Sequence, residues 1–213
     1  MAHVIQYYPV ALDLRGRACL VVGGGAVAES KVEGLLDTGA RVTVVSPALT
    51  ERLAAWAAVG RIAHRPREYA ASDLEGQQLA FSATDRRDVT ETVAADARRR
   101  GLWVNAADDP RYCDFLVPSV LRRGRLQVAV STGGASPALA ARVRRDLEAY
   151  FTPEYEDLVE LAAEVRRELR AGGRRADAAH WRELLDADLR RLLADGRRGE
   201  AKVLLLERLG VTA

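Results

Sequence analysis

Apolar and polar positions alternate between two rhythms along the chain. Ala18, Cys19, Leu20, Val21 and Val22 form a short unbroken apolar run, and three glycines at 23–25 end it. Such a run reads as a buried strand, and the spacing after it predicts a helix from Ala26 to about Asp37, closed by Gly39. A β-branched run, RVTVV at 41–45, predicts a second strand, and SPALTERLAAWAAVG predicts a capped helix from about Ala48 to Val59. RIAHR is a short third strand. QQLAFSAT at 77–84 is another, RRDVTETVAADARRR is an amphipathic helix with Val89 and Val93 inward, and GLWVNAA at 101–107 closes the series. Strands alternating with helices of this length imply right-handed crossovers and a parallel sheet covered on both faces, an α/β body.

The rhythm then changes. RLQVAVST at 125–132 reads as one more strand, followed by a helix in GGASPALAARVRRDLEAYF, where Ser136 can cap and Pro137 suits the first turn. Thr152 and Pro153 start a further helix with Glu154, Glu156 and Asp157 in its first turn, where the helix dipole favours anions. Leu158, Leu161, Ala162, Val165 and Leu169 form its apolar stripe, and Gly172 and Gly173 stop it. Trp181, Leu184, Leu185, Leu189, Leu192 and Leu193 make a second stripe, and EAKVLLLERLG is a short last helix. An all-helical tail thus follows the α/β body, with no internal repeat and no low-complexity linker.

Composition narrows the class. The chain has 213 residues, 48% hydrophobic and 29% charged, and its 32 basic residues nearly cancel 30 acidic ones, for a net charge of +2. Bulk charge therefore does not suit nucleic-acid binding, and the arginine-rich RRELRAGGRR reads as solvated helix surface. Cys19 and Cys113 are far apart and make no disulfide framework, which fits a reducing compartment. The N-terminus lacks the basic start and apolar core of a signal peptide, and no apolar run approaches the roughly 18 residues of a membrane span. A cytoplasmic protein that binds neither membrane nor nucleic acid is expected.

The candidate chemistry starts at GGGAVA, residues 23–28, which fits G-x-G-x-x-[GA] between a strand and a helix. Gly23 permits the tight turn, Gly25 lets the backbone approach a pyrophosphate, and Ala28 keeps the helix close to the sheet; the helix N-terminus supplies donors and a positive dipole end. Where an acid usually ends the second strand to hold a ribose, this chain has Ser46 and Pro47, with no Arg or Lys beside them in sequence. Serine can still hydrogen-bond a ribose hydroxyl, which favours NAD over NADP. Ligands bind beyond the carboxyl ends of the strands in open α/β sheets, so SATD (82–85) and VNAADDP (104–110) should converge near the nicotinamide end, with Thr84 and Asp85 on the cofactor side. Capping or solvation is the plainer role for Asp85 and Asp109, whereas Asp108 closes a buried strand beside Asn105. VAVSTGGASP at 128–137 is a second Gly-rich turn able to offer backbone donors to anions.

Taken together, YYPVALDLRGRACLVVGGGAVAESKVEGLLDTGARVTVVSP, SATD, VNAADDPRYCDFLVPSVLRRGRLQVAVSTGGASPALA and the helical tail resemble the precorrin-2 dehydrogenase family. That family includes the N-terminal half of siroheme synthases and bifunctional dehydrogenase/ferrochelatases. The resemblance implies NAD-dependent oxidation of precorrin-2 to sirohydrochlorin, and in some members insertion of ferrous iron. It implies a Rossmann domain (1–117), a dimerisation segment (118–150) and a helical domain (151–213), assembled as a homodimer. It places the catalytic aspartate at Asp108. Cofactor contacts fall at Gly23, Gly24, Gly25, Ala26 and Val27, and at Ser46, Pro47 and Ala48, and the tetrapyrrole loop at Ser131, Thr132, Gly133 and Gly134, with Asn105 also on the substrate side. Substrate carboxylates would want arginines. Of Arg122, Arg123 and Arg125, and of Arg142, Arg144 and Arg145, most read as solvated surface, and Arg123 is the expected contact. Thr132 stands where the family often has serine, and Ala106 and Ala107 where bulkier apolar residues are common.

His3, His64 and His180 are scattered and suggest no preformed metal site, which leaves iron insertion open. No uroporphyrinogen methyltransferase domain is expected within these 213 residues. Two other readings fit the same residues: a dehydrogenase of another bulky anionic substrate, and a non-catalytic sensor of the NADH/NAD ratio.

Overall fold

In the computed structural model the described residues are 6–107, 109–174 and 178–211, with the side chains of 178–180 excepted. They fall into two compact units, divided between Val117 and Pro118.

The first unit is built on five parallel strands: β1 (Ala18–Val22), β2 (Arg41–Val45), β3 (Ala63–Arg65), β4 (Leu79–Ser82) and β5 (Trp103–Ala106), in the order β3-β2-β1-β4-β5. Three helices, α1 (Ala26–Leu36), α2 (Glu51–Ala58) and α3 (Arg87–Arg99), connect them. Side chains on a strand alternate between faces, so the apolar run of β1 feeds two cores. Cys19 and Val21 pack with Val32, Leu35, Val44, Leu53, Trp56 and Phe81, while Leu20 and Val22 pack with Val45, Leu74, Val93, Ala97 and Val104. Each buried Val or Leu contributes about 1.5–3 kcal/mol, which is why an unbroken apolar run sits in the sheet centre. The chain runs outward from β1 to β3, then returns to place β4 on the other side of β1. Such a reversal opens a crevice beyond the carboxyl ends of the two strands.

The helix expected from about Ala48 begins at Glu51. Thr50 is its N-cap, its Oγ1 accepting from the Leu53 N–H at 3.3 Å, so residues 46–49 remain an open loop. That difference matters for the site.

The second unit begins with a hairpin, β6 (Ser119–Arg123) paired antiparallel with β7 (Leu126–Val130). Sequence pattern predicts only the second of these strands. Gly124, at φ +52°, makes the turn between them. After α4 (Pro137–Glu148) come α5 (Glu154–Ala171), α6 (Ala178–Leu184), α7 (Ala187–Ala194) and α8 (Arg198–Arg208). Ser136 caps α4, its Oγ accepting from Leu139 N–H at 3.2 Å, with Pro137 in the first turn. Leu158, Leu161, Val165 and Leu169 of α5 meet Leu189 and Leu193 of α7 and Ala201 and Leu205 of α8 in one apolar core. The stripe from Trp181 to Leu193 is two helices rather than one, broken where Asp186 caps α7. Among the described residues, no helix is long and apolar enough to cross a membrane.

Candidate functional site

Three turns at the carboxyl ends of β1, β2 and β4 surround a cavity of about 570 Å3. Its lining is Gly23, Gly24, Gly25, Ala26 and Val27 from the first turn, Ser46, Ala48, Leu49 and Thr50 from the second, and Ala83, Thr84 and Asp85 from the third.

Close backbone contacts set this geometry. Gly23 lies at φ +122°, and a Cβ there would stand 2.1 Å from the Ala83 carbonyl oxygen. Its N–H donates to Val45 O at 3.0 Å, and Ala83 N–H donates to Val22 O at 2.8 Å. A Cβ on Gly24 would stand 1.9 Å from Ala48 O and 2.7 Å from Ser46 Oγ, while Thr50 N–H donates to Gly24 O at 2.9 Å. Gly25 is different. It is the N-cap of α1 with no side-chain cap, and a Cβ on it would meet nothing within 4 Å. The first two glycines are therefore required by the protein's own packing, and the third leaves the helix N-terminus open. Open N–H groups with the positive dipole end behind them form an anion site, and the cradle fits the pyrophosphate of a dinucleotide. Ala28 is fully buried against the sheet, where the fingerprint needs a small residue.

The second turn is held on both sides. Ser46 N–H donates to Arg65 O at 3.2 Å, His64 Nε2 donates to Ser46 O at 2.9 Å, and Ser46 Oγ donates to Ala48 O at 2.7 Å. Thr50 Oγ1 donates to Glu29 Oε2 at 2.6 Å, tying this turn to α1.

Among the described residues, no lysine, arginine or histidine lines the cavity, and Asp85 is the one ionisable group in the lining. On the elements that follow these turns, Arg52 pairs with Glu33 and Glu29, Arg65 and Arg67 with Asp73, and Arg86 with Asp88 and Glu68. Asp73 is fully buried. Burial pushes its pKa up, but hydrogen bonds from Arg67, the Ala70 N–H and Arg65 outweigh that and hold it at about 2.

Nine of the ten residues expected on the cofactor side line this cavity; Pro47 does not. Leu49, Thr50 and Ala83 also line it and were not expected. Thr50 carries a readable signal, an N-cap threonine before an amphipathic helix. Ala83 is readable only once Gly23 is known to press on it.

At the end of β5, Ala107 N–H donates to Ser82 O at 3.0 Å, and Asp109 caps the short turn Pro110–Tyr112 through Arg111 N–H at 3.1 Å. Asp108 lies outside the described residues. Asn105 is 4% exposed; its Nδ2 donates to Phe115 O at 2.9 Å, and its buried Oδ1 has no partner among the described residues. Cys113 Sγ accepts from Ala106 N–H at 3.2 Å and donates to Ala106 O at 3.1 Å, bracing the same loop.

The remaining expected substrate residues belong to the second unit. Thr132 Oγ1 accepts from Ser136 N–H at 2.9 Å and donates to Ser136 O at 3.0 Å, and Ser131 Oγ accepts from Gly133 N–H at 3.2 Å, with Gly134 next in the same turn. Arg123 Nη1 donates to Arg122 O at 3.0 Å, while its buried Nε has no partner among the described residues.

Comparison with known proteins bears on what such a crevice holds. Residues 10–119 match a family model described as putative NAD(P)-binding, and residues 123–150 match one described as sirohaem biosynthesis protein central. The chain is 40% identical over 205 residues to a siroheme synthase of Methylococcus capsulatus, covering 95% of this chain and 43% of that one. It is 39% identical over 200 residues to a siroheme synthase of Nitrosococcus oceani, covering 93% and 43% respectively. The chain thus spans less than half the length of these relatives. A solved structure titled SirC, precorrin-2 dehydrogenase, is 30% identical, superposes with a TM-score of 0.77, and is matched over 94% of this chain and 100% of its own.

Proposed function

The chain belongs to the family of precorrin-2 dehydrogenases and siroheme synthase N-terminal halves, and on that premise we propose that it oxidises precorrin-2 to sirohydrochlorin with NAD. One observation carries the reading: a match over the whole length of a precorrin-2 dehydrogenase coincides with a glycine cradle open only at Gly25. NAD rather than NADP is favoured by a lining that, among the described residues, offers no cation to a 2′-phosphate.

The oxidation removes one hydride and one proton from the macrocycle, and bound NAD supplies the hydride acceptor. The chain's own residues bind, orient and take the proton. The N–H groups around Gly25, Ala26 and Val27 would hold the pyrophosphate, with Ser46 and Ala48 on the ribose side and Thr84 and Asp85 on the nicotinamide side of the same lining. Asp108 is the base that accepts the proton. A carboxylate suits that task, and its removal from an acid–base step costs about 10²–10⁴-fold. In the second unit, Ser131, Thr132, Gly133, Gly134 and Arg123 receive the substrate's carboxylates. Leu139, Val143 and Tyr150, exposed along and just beyond α4, support assembly as a homodimer.

The test is anaerobic formation of NADH from precorrin-2. Wild-type turnover, lost in Asp108→Ala while NAD still binds, is the expected result. A folded protein that binds NAD and leaves precorrin-2 intact would remove the substrate from the reading.

A further inference from the structure

We infer that Cys113 is a positioning residue for the proton transfer: its thiol ties together the backbone on either side of residue 108 and so limits where the Asp108 carboxylate can stand. The inference rests on the reading of Asp108 as the base and adds to it what holds that base in place.

The edge of the sheet sets the geometry. β5 is the last strand of the parallel sheet, and residues 113–115 are bonded along its free side. Val104 N–H donates to Asp114 Oδ2 at 3.0 Å, Asp114 N–H donates to Val104 O at 2.8 Å, and Asn105 Nδ2 donates to Phe115 O at 2.9 Å. These bonds hold the strand to the returning chain. Cys113 reaches further. Its Sγ accepts from Ala106 N–H at 3.2 Å, and it lies 3.1 Å from Ala106 O and 3.5 Å from Asp109 O. One thiol thus joins the end of β5 to Asp109 across the two residues between them. Ala107 is held from the other side, its N–H donating to Ser82 O at 3.0 Å. Consecutive Cα atoms are about 3.8 Å apart, so anchors at 107 and 109 bound the reach of the residue that joins them.

The thiol suits this task better than a nucleophilic one. Burial pushes its pKa up, so near neutral pH it keeps its proton. A protonated thiol is a weak donor and a weak acceptor at once, as one atom facing both the N–H and the O of Ala106 must be. Alanine would strip both groups of this partner and cut the tie to Asp109. Misplacing reacting groups by about 1 Å can cost about 10²-fold in rate.

Anaerobic turnover of precorrin-2 with NAD tests this in the full chain, with NAD affinity read separately by calorimetry. The comparison takes wild type, Cys113→Ala, Cys113→Ser, Asp108→Ala and the double variant Cys113→Ala with Asp108→Ala. Cys113→Ala should lower kcat about 10- to 100-fold, while KM and NAD affinity stay within about twofold of wild type. Serine keeps a donor and two lone pairs, so Cys113→Ser should recover most of the loss. With Asp108→Ala already in place, removing the thiol should cost little more, because it acts through the carboxylate. Full kcat in Cys113→Ala would overturn the inference. So would an equal loss with and without Asp108, which marks a thiol that serves the fold alone. Cys113→Val keeps apolar bulk without the hydrogen bonds, and it gives the same comparison if the alanine variant fails to fold. Unchanged turnover in Asp108→Ala would instead remove the base reading, and the inference with it.

Discussion

The carbonyl oxygen of Ala48 fills the space that a side chain on Gly24 would need: a Cβ there would stand only 1.9 Å away. The two residues lie on different turns, and Thr50 N–H, donating to Gly24 O at 2.9 Å, locks those turns together. Backbone faces backbone here, so no flexible side chain can move aside. Gly24→Ala must push the loop after β2 outward, at the cost of about 1–3 kcal/mol typical of overpacking. Thermal unfolding should show that loss, and NAD affinity should fall with it because Ser46 and Ala48 move. A variant with wild-type stability and affinity would mean the loop yields freely.

Gly25 gives the opposite expectation. Its φ of −88° and ψ of −171° suit any residue, and a Cβ there touches no protein atom. Gly25→Ala should therefore leave stability within about 0.5 kcal/mol of wild type. The methyl group would instead stand where a pyrophosphate approaches α1, and NAD binding should weaken. Unchanged affinity in a titration would move the pyrophosphate away from this turn.

Adjacent residues of one glycine run thus divide into packing and binding, and only part of that division is legible in sequence. The fingerprint names Gly23 and Gly25 and treats Gly24 as free, because the contact that demands Gly24 comes from a loop more than twenty residues away. Strands β1, β2, β4 and β5 were readable because their mostly apolar or β-branched runs are punctuated by glycines, whereas β3, only Ala63–Arg65, carries a histidine and an arginine and reads as a strand from its place in the alternation. β6 was not, since SVLRR carries two arginines and gains strand character only through pairing with β7. Asn105 reads as a substrate residue from its place at a strand end; in the structure its Nδ2 donates to Phe115 O, while its buried Oδ1 has no partner among the described residues. Which way a strand-end side chain turns depends on the loop that folds over it, and periodicity does not encode that.

Asp73 offers a pH-dependent test. Its carboxylate is buried and receives Arg67, Arg65 and the Ala70 N–H, which hold its pKa at about 2, below the ordinary 3.8. A depressed folded-state value means the carboxylate stabilises the fold above about pH 4, and that this is lost as pH falls toward 2. Asp73→Ala should cost about 1–3 kcal/mol at neutral pH, toward the lower end because both arginines remain half-exposed to water. Urea unfolding from pH 7 to pH 2 should show wild type and variant converging as the pH drops. Parallel curves across that range would assign the effect to lost packing.

Asp186 plays a related part in the second unit, where an apolar stripe would otherwise run on as one helix. Its Oδ1 accepts from Asp188 N–H at 3.1 Å and Leu189 N–H at 3.2 Å, and its Oδ2 accepts from Arg208 at 2.8 Å. Burial raises its pKa, but the Leu189 N–H and Arg208 outweigh that and lower it. Removing an N-cap costs about 0.5–2 kcal/mol. Asp186→Ala should therefore speed hydrogen exchange at the α7 amides while leaving β1 and β4 unchanged. Asp186→Asn separates the two contributions, since it keeps an oxygen to cap the helix and gives up the charge that pairs with Arg208. The asparagine variant should retain most of the protection at neutral pH. It should also lack the loss that wild type suffers as pH falls below the ordinary carboxylate range and through the lowered value of Asp186. If asparagine exposes α7 as fully as alanine does, the pairing with Arg208, rather than the cap, holds the start of α7 in place.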